Sequence, residues 1–175
     1  MRSVLTALYV VALVVTAACN RSEPEAAPEG NATAATGNTS QAATAANVAD
    51  SIKARQTHYK EIGRAMKGIN DELKAGSPNV QAIQGHATQL RTFAPQIQGW
   101  FPSGSGSEAG LKTRAKQEIW SDPEGFRRAS EAFVNATERF HGVTQAGDVQ
   151  AIRAAVPDLG ASCKGCHDKF RAPEE

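Results

Sequence analysis

The sequence predicts an all-α protein, an antiparallel four-helix bundle, on three observations. Apolar residues recur at steps of three and four through four successive stretches, the beat of one buried helical face. No stretch alternates apolar and polar residues as a half-buried strand does. Hydrophobic residues make up 41% of the chain but aromatics only 6%, so Ala and the aliphatics must fill the core, which suits helices better than a β-sandwich. The 175 residues suffice for about one domain. Nineteen basic residues against eighteen acidic ones exclude bulk attraction to nucleic acid.

The first element is an address. Arg2 precedes an apolar run from Val4 to Val15, then Thr16, Ala17, Ala18 and Cys19. The run is shorter than the ~20 residues a membrane-spanning helix needs. A charged start, an apolar middle and small residues before a cut describe an export signal over residues 1–18. Cys19 after two alanines resembles a bacterial lipoprotein box, in which that cysteine is lipidated; Thr16 stands where the box usually has Leu, and ordinary cleavage nearby is the alternative. Both place the domain outside the cytoplasm, in the periplasm; the lipidated form would touch the membrane only through its anchor, and the other would be soluble. Residues 19–47 are rich in Ala and Thr, and Asn20 to Asn47 contains no Val, Leu, Ile, Met or aromatic residue. Such a segment cannot offset its ordering entropy by burial, so a disordered tether is expected, followed by a folded domain over 48–175.

Ile52, Tyr59, Ile62, Met66, Ile69 and Leu73 set the beat of the first helix. It ends near Gly76, where Ser77 can cap the next helix and Pro78 can take its first position. Val80, Ile83, Ala87, Leu90, Ala94 and Ile97 form the second series. An irregular stretch from Gly99 to about Ser121 follows, and Asp122-Pro123 signals the third start, continued by Phe126, Ala129, Phe133, Ala136, Phe140 and Val143. Gly147-Asp148 breaks that beat before Val149, Ile152, Val156, Leu159, Cys163, Cys166 and Phe170; Pro157 and Gly160 weaken the start of this last helix.

Cys163-Lys164-Gly165-Cys166-His167 is a C-x-x-C-H sequence, the signature of covalent c-type haem attachment. On a helix the two thiols lie within one turn of each other, ready to add to two haem vinyl groups. His167, four residues after Cys163, shares their face and can direct a ring nitrogen at the iron. Three other chemistries use such cysteines. A zinc site wants four ligands, but His58, His86 and His141 are scattered. A thioredoxin-like pair sits at a helix start after a strand, and a disulfide between positions three apart in a helix has poor geometry. Arg55 lies on the apolar stripe of the first helix, where a guanidinium must find an anion such as a haem propionate or else snorkel to water.

These residues together resemble the class II c-type cytochromes, the cytochrome c′ family. The likeness runs from about Val48 to Arg171 and rests on Ile52-Lys53-Ala54-Arg55-Gln56, Glu118-Ile119-Trp120-Ser121-Asp122, Gly160-Ala161-Ser162 before the haem motif, and Asp168-Lys169-Phe170-Arg171 after it. Haem attachment close to the C terminus is itself characteristic. The resemblance implies one haem c, covalently held by two thioethers from Cys163 and Cys166, with His167 on the iron, inside a bundle often assembled as a homodimer. It implies that Arg55 and Gln56 contact the propionate side, that Thr113 and Arg114 lie in a loop reaching the haem edge, and that Arg171 sits beside the proximal face. Gln117 replaces a proline common there.

The resemblance also puts Tyr59 over the far face of the iron. A neutral phenol, with an ordinary pKa near ~10, is a poor haem ligand, so five-coordinate iron is expected with Tyr59 as a steric lid. Met66, one heptad further along, lies roughly 10 Å away and reads as core. His58 should face elsewhere, and His86 and His141 read as surface or packing residues. Trp100, Phe101 and Trp120 flank the long loop and should close the crevice or pack the bundle end. The expected function is periplasmic one-electron transfer with redox partner proteins, and the alternative is capture of NO or CO at the open position. An enzyme is not expected.

Overall fold

The computed structural model describes residues 36–173, with side chains from Ala45 onward. Its helices are α1 (Thr36–Lys74), α2 (Val80–Phe93), the single turn α3 (Glu118–Ser121), α4 (Pro123–Gln145) and α5 (Val149–Phe170). Four of them are long, and no strand occurs among the described residues, only an isolated antiparallel bridge between Ala115 and Arg171. No described helix is long and apolar enough to cross a membrane.

Each expected beat buries its own face. Ile52, Ile62, Ala65, Ile69 and Leu73 of α1 are buried, as are Ile83, Ala87 and Leu90 of α2, Phe126, Phe133, Ala136 and Phe140 of α4, and Ile152, Leu159 and Phe170 of α5. Full burial of each large side chain contributes about 1.5–3 kcal/mol. Met66 packs against this core. Helix α1 packs on α2, α2 on α4 and α4 on α5, whereas α1 and α5 are not among the closely packed pairs.

Four expectations are corrected. Residues 1–18, with most of the tether and Cys19, lie outside the described residues, but Thr36–Asn47 is helical and continues α1 without a break; its Ala content favours helix over coil. The cap of α2 is Asn79, whose side chain accepts from the Ala82 amide at 3.1 Å, two residues past Ser77. The second series stays helical only to Phe93 as an α-helix, then tightens into a 3-10 turn over Ala94–Trp100, because Pro95 has no amide hydrogen and clashes with an α-helical carbonyl. The irregular stretch contains a 3-10 turn, Ser107–Ala109, as well as α3.

Other boundaries follow the chemistry. Asp122 caps α4 by accepting from the Gly125 amide at 2.9 Å, with Pro123 in the first turn. Gly147 takes φ +75°, a left-handed conformation that glycine adopts without strain, and Asp148 then caps α5 through Gln150 and Ala151. Helix α5 continues through Pro157, which is exposed. His86 is a packing residue: a Cβ on Gly68 would collide with its ring, so that glycine lets α1 and α2 approach.

Candidate haem site

The C-terminal half of α5 carries the sulfurs. Cys163 and Cys166 are half-buried and unbridged. Burial raises the pKa of both thiols, that of Cys166 to about 11, so neither is a ready thiolate for metal binding or disulfide exchange. His167, one turn on, is exposed and lines a cleft of about 520 Å³ with Arg114, Lys116, Asp168, Arg171, Ala172 and Pro173. Partial burial and then the charges of Arg171 and Arg114 hold its imidazole below the usual pKa, which keeps a ring lone pair available. Among the described residues no three His, Cys, Asp or Glu side chains converge to share an ion, as a zinc set would.

The loop after α2 is fastened to this helix end. The Lys116 amide donates to the Phe170 carbonyl at 3.1 Å, and the Ala172 amide donates to the Arg114 carbonyl at 2.8 Å. Arg114 Nε donates to the Ala172 carbonyl at 2.9 Å. Lys169 pairs with Asp122, tying α5 to the cap of α4, while Lys164 pairs with Asp168 along the exposed face.

The opposite wall belongs to α1. Arg55 is 3% exposed, so it does not snorkel. Its Nη1 donates to Ser105 Oγ at 2.7 Å, and its Nη2 donates to the Ser105 carbonyl at 2.5 Å and to Thr113 Oγ1 at 2.7 Å. The guanidinium also lies 4.8 Å from the centroid of Phe101. Its direct partners are therefore neutral oxygens and a ring face, not a carboxylate. Burial lowers its pKa, and the nearby Tyr59 and Glu108 oppose that shift. Gln56 donates to the Lys112 carbonyl at 2.8 Å, a second tie between α1 and the same loop.

Tyr59 meets Trp100 edge-on at 5.4 Å between ring centroids and lies 6.3 Å from Phe101. Burial pushes its pKa well above the ordinary phenol value; Cys166 adds to the shift, and Arg55 and Arg171 oppose it. The phenol thus stands within electrostatic reach of α5, across the side of the bundle that α1 and α5 leave loosely packed. His58 stacks on the same Trp100 at 4.8 Å and lies 5.5 Å from Phe93, in the aromatic packing. Phe101 contacts Phe126 at 5.1 Å, Phe126 contacts Phe170 at 5.3 Å, and Trp120 Nε1 donates to the Phe101 carbonyl at 3.2 Å. Trp100, Phe101 and Trp120 thus pack the bundle end around Tyr59.

The fold therefore gathers the residues singled out from sequence into two groups: Arg55, Gln56 and Thr113 on one wall, and His167, Arg114 and Arg171 around the cleft, with Tyr59 between them. Ser105, 0% exposed, and Lys116 escaped notice. A serine in a Gly/Ser-rich stretch and a lysine near a helix start look the same in sequence whether they face water or the site.

Two unbridged cysteines, a neutral imidazole on the same face, an apolar aromatic wall opposite and a loosely packed side between α1 and α5 fit a covalently attached porphyrin. They define a c-type haem protein of the four-helix-bundle class. The chain belongs to the cytochrome c′ family, whose model matches residues 50–171. It is 32% identical over 123 residues to cytochrome c′ of Alcaligenes xylosoxydans, covering 70% of this chain and 93% of that one. A more local match to cytochrome c′ of Rubrivivax gelatinosus is 43% identical over 68 residues, 39% of this chain and 53% of that protein. Among solved structures, a cytochrome c′ described as having ligand-controlled dimer dissociation superposes with a TM-score of 0.65 at 28% identity, covering 71% of this chain and 95% of that one. A nitric oxide complex of a variant Alcaligenes xylosoxidans cytochrome c prime superposes with a TM-score of 0.64 at 28% identity, covering 73% and 97%. The family's cofactor is one covalent c-type haem.

Proposed function

We propose that the protein is an exported one-electron carrier whose haem iron is five-coordinate, with NO or CO capture as the second reading. Cys163 and Cys166 supply the two thioether sulfurs and His167 the axial nitrogen. Arg55 and Gln56 flank the propionate side, Thr113 and Arg114 the edge, and Arg171 the proximal face. The haem supplies a one-electron couple and, where its sixth position is open, affinity for diatomic gases.

The observation that carries the five-coordinate reading is Tyr59. Its phenol is buried, held between Trp100 and Phe101, and protonated far above neutral pH. A protonated phenol is a weak iron ligand, so it screens the position without filling it. Trp100 and Phe101 pack around the phenol and hold it in place. Gas capture is favoured by the nitric oxide complex described for the Alcaligenes xylosoxidans relative. Assembly as a homodimer is supported by the dimer described for the other superposed cytochrome c′. Export to the periplasm and anchoring through Cys19 are supported by the leader and by the chemistry of haem attachment. Neither reading asks for turnover, so the protein is proposed as a carrier or binder and not an enzyme.

The test is an absorption spectrum of the reduced protein with and without CO. A shifted Soret band on CO addition is expected. A six-coordinate ferrous spectrum unmoved by CO would reject the open position.

A further inference from the structure

The outward face of α1 carries a row of cations at heptad spacing, separate from the Arg114, Lys116 and Arg171 cluster at the cleft. Lys53, Lys60, Lys67 and Lys74 recur every seventh residue, and Arg64 lies in the same row; all five are exposed. Residues one heptad apart fall on one helix face, so the row is a nearly straight line roughly 30 Å long. Asp71 stands in it, paired with Lys67, and Glu61 flanks it, paired with Arg64. From Lys53 to Lys74 six basic residues, the buried Arg55 among them, face three acids, while the remainder of the chain holds thirteen basic and fifteen acidic residues. This segment is therefore net positive while the rest of the chain is net negative. On α4 the charges alternate instead, with Arg127 held by Glu124 and Glu131, and with Glu138 taken by Arg91 of α2.

We propose that this row docks the domain onto an anionic lipid surface, with α1 lying along the bilayer plane. A long, straight, predominantly cationic line, in which Lys53, Lys60 and Lys74 make no ion pair among the described residues, suits a flat surface of headgroups. The row also lies on the side of α1 away from Ile52, Arg55, Tyr59 and Ile62, which face inward. An electron-transfer partner bound there would be separated from the haem by the full thickness of the helix, which argues against a redox protein as the occupant. Docking this way turns the Arg55–Tyr59 wall and the helices behind it toward the aqueous side, where soluble partners arrive. The inference rests on the reading of the chain as exported and anchored near its N terminus. Each cation held near an anionic leaflet strengthens partitioning roughly fivefold at low salt, and the effect fades as salt screens it.

The test uses the haem-loaded mature chain, residues 19–175 with Cys19→Ser, which has neither the apolar leader nor a lipid, so that binding by the row is read apart from anchoring; the mass of the unmutated mature chain reports anchoring separately. Co-sedimentation with phosphatidylglycerol-rich vesicles is compared with phosphatidylcholine vesicles at low and high salt. Binding to the anionic vesicles alone, lost at high salt, is expected. Adding Lys53→Gln, Lys60→Gln and Lys74→Gln should weaken it on the order of a hundredfold. A control with Arg128→Gln, Arg139→Gln and Arg153→Gln should retain most of it. The Soret band and thermal midpoint verify that each variant is folded. No binding, equal binding to both vesicle types, or equal loss in both triple variants overturns the proposal. Row-dependent binding to polyglutamate without vesicle binding overturns it in favour of an acidic protein.

Discussion

The two walls of the haem site are built in opposite ways. The α5 wall is local: both sulfurs and the imidazole lie within five consecutive residues, and the helix alone brings them to one face. The α1 wall is assembled from distant parts. Arg55 is held by Ser105, fifty residues on, and by Thr113, fifty-eight on. The local wall is insured by backbone geometry. The assembled wall depends on a loop held by four hydrogen bonds from Arg55 and Gln56 and by its stitches to the end of α5. Cofactor attachment should therefore fail through the first wall, and stability and ligand access through the second.

The largest effect expected from breaking the local wall is on attachment itself. Cys166→Ala should leave haem singly attached or absent, seen as a shifted band in the alkaline pyridine spectrum and as lost mass. An unchanged two-thioether spectrum would contradict the assignment.

On the assembled wall, Arg55→Leu removes the donors that Ser105 and Thr113 accept from, leaving buried oxygens unsatisfied. A loss of about 3 kcal/mol is expected in denaturant unfolding of the haem-loaded protein, with cofactor attachment retained. Arg55→Lys keeps the charge but not the planar fork and should recover only part of it.

A pH titration separates the walls by chemistry. Tyr59 ionises at an ordinary phenol's pH only if exposed, and its raised pKa keeps it neutral as pH rises through ~10. The ferric spectrum should show no phenolate charge-transfer band at that pH. In Tyr59→Ala, CO should enter faster, read by stopped flow, because the lid is gone.

The smallest effect concerns the join between the walls. Asp122 caps α4 and pairs with Lys169 on the haem helix, so Asp122→Ala should cost about 1 kcal/mol, read as a lowered thermal midpoint with an unchanged Soret band.

The residues at the site show why some of this was legible in the chain and some was not. Cys163, Cys166 and His167 declare themselves because their chemistry needs fixed spacing on one helix. Arg55 stood out because it interrupts an apolar stripe, and an interrupted stripe marks something other than core; Tyr59 belongs to that stripe, and only the family resemblance singled it out. Ser105 carried no such mark. Its burial follows from a loop path that no local period encodes. Asn79, not Ser77, caps α2 because Glu72 of the preceding helix accepts from its amide at 3.0 Å and pins that turn, a contact between two elements.

By itself the sequence determined the helices, their buried faces and the attachment motif, since all three are set by interactions within a few turns of one chain segment. Only the tertiary structure decided that Arg55 is gripped by a distant serine and threonine, that the loop is stitched to the end of α5, and that Tyr59 stands across from Cys166. Those depend on which faces meet, and the pairing of faces is a property of the packed whole.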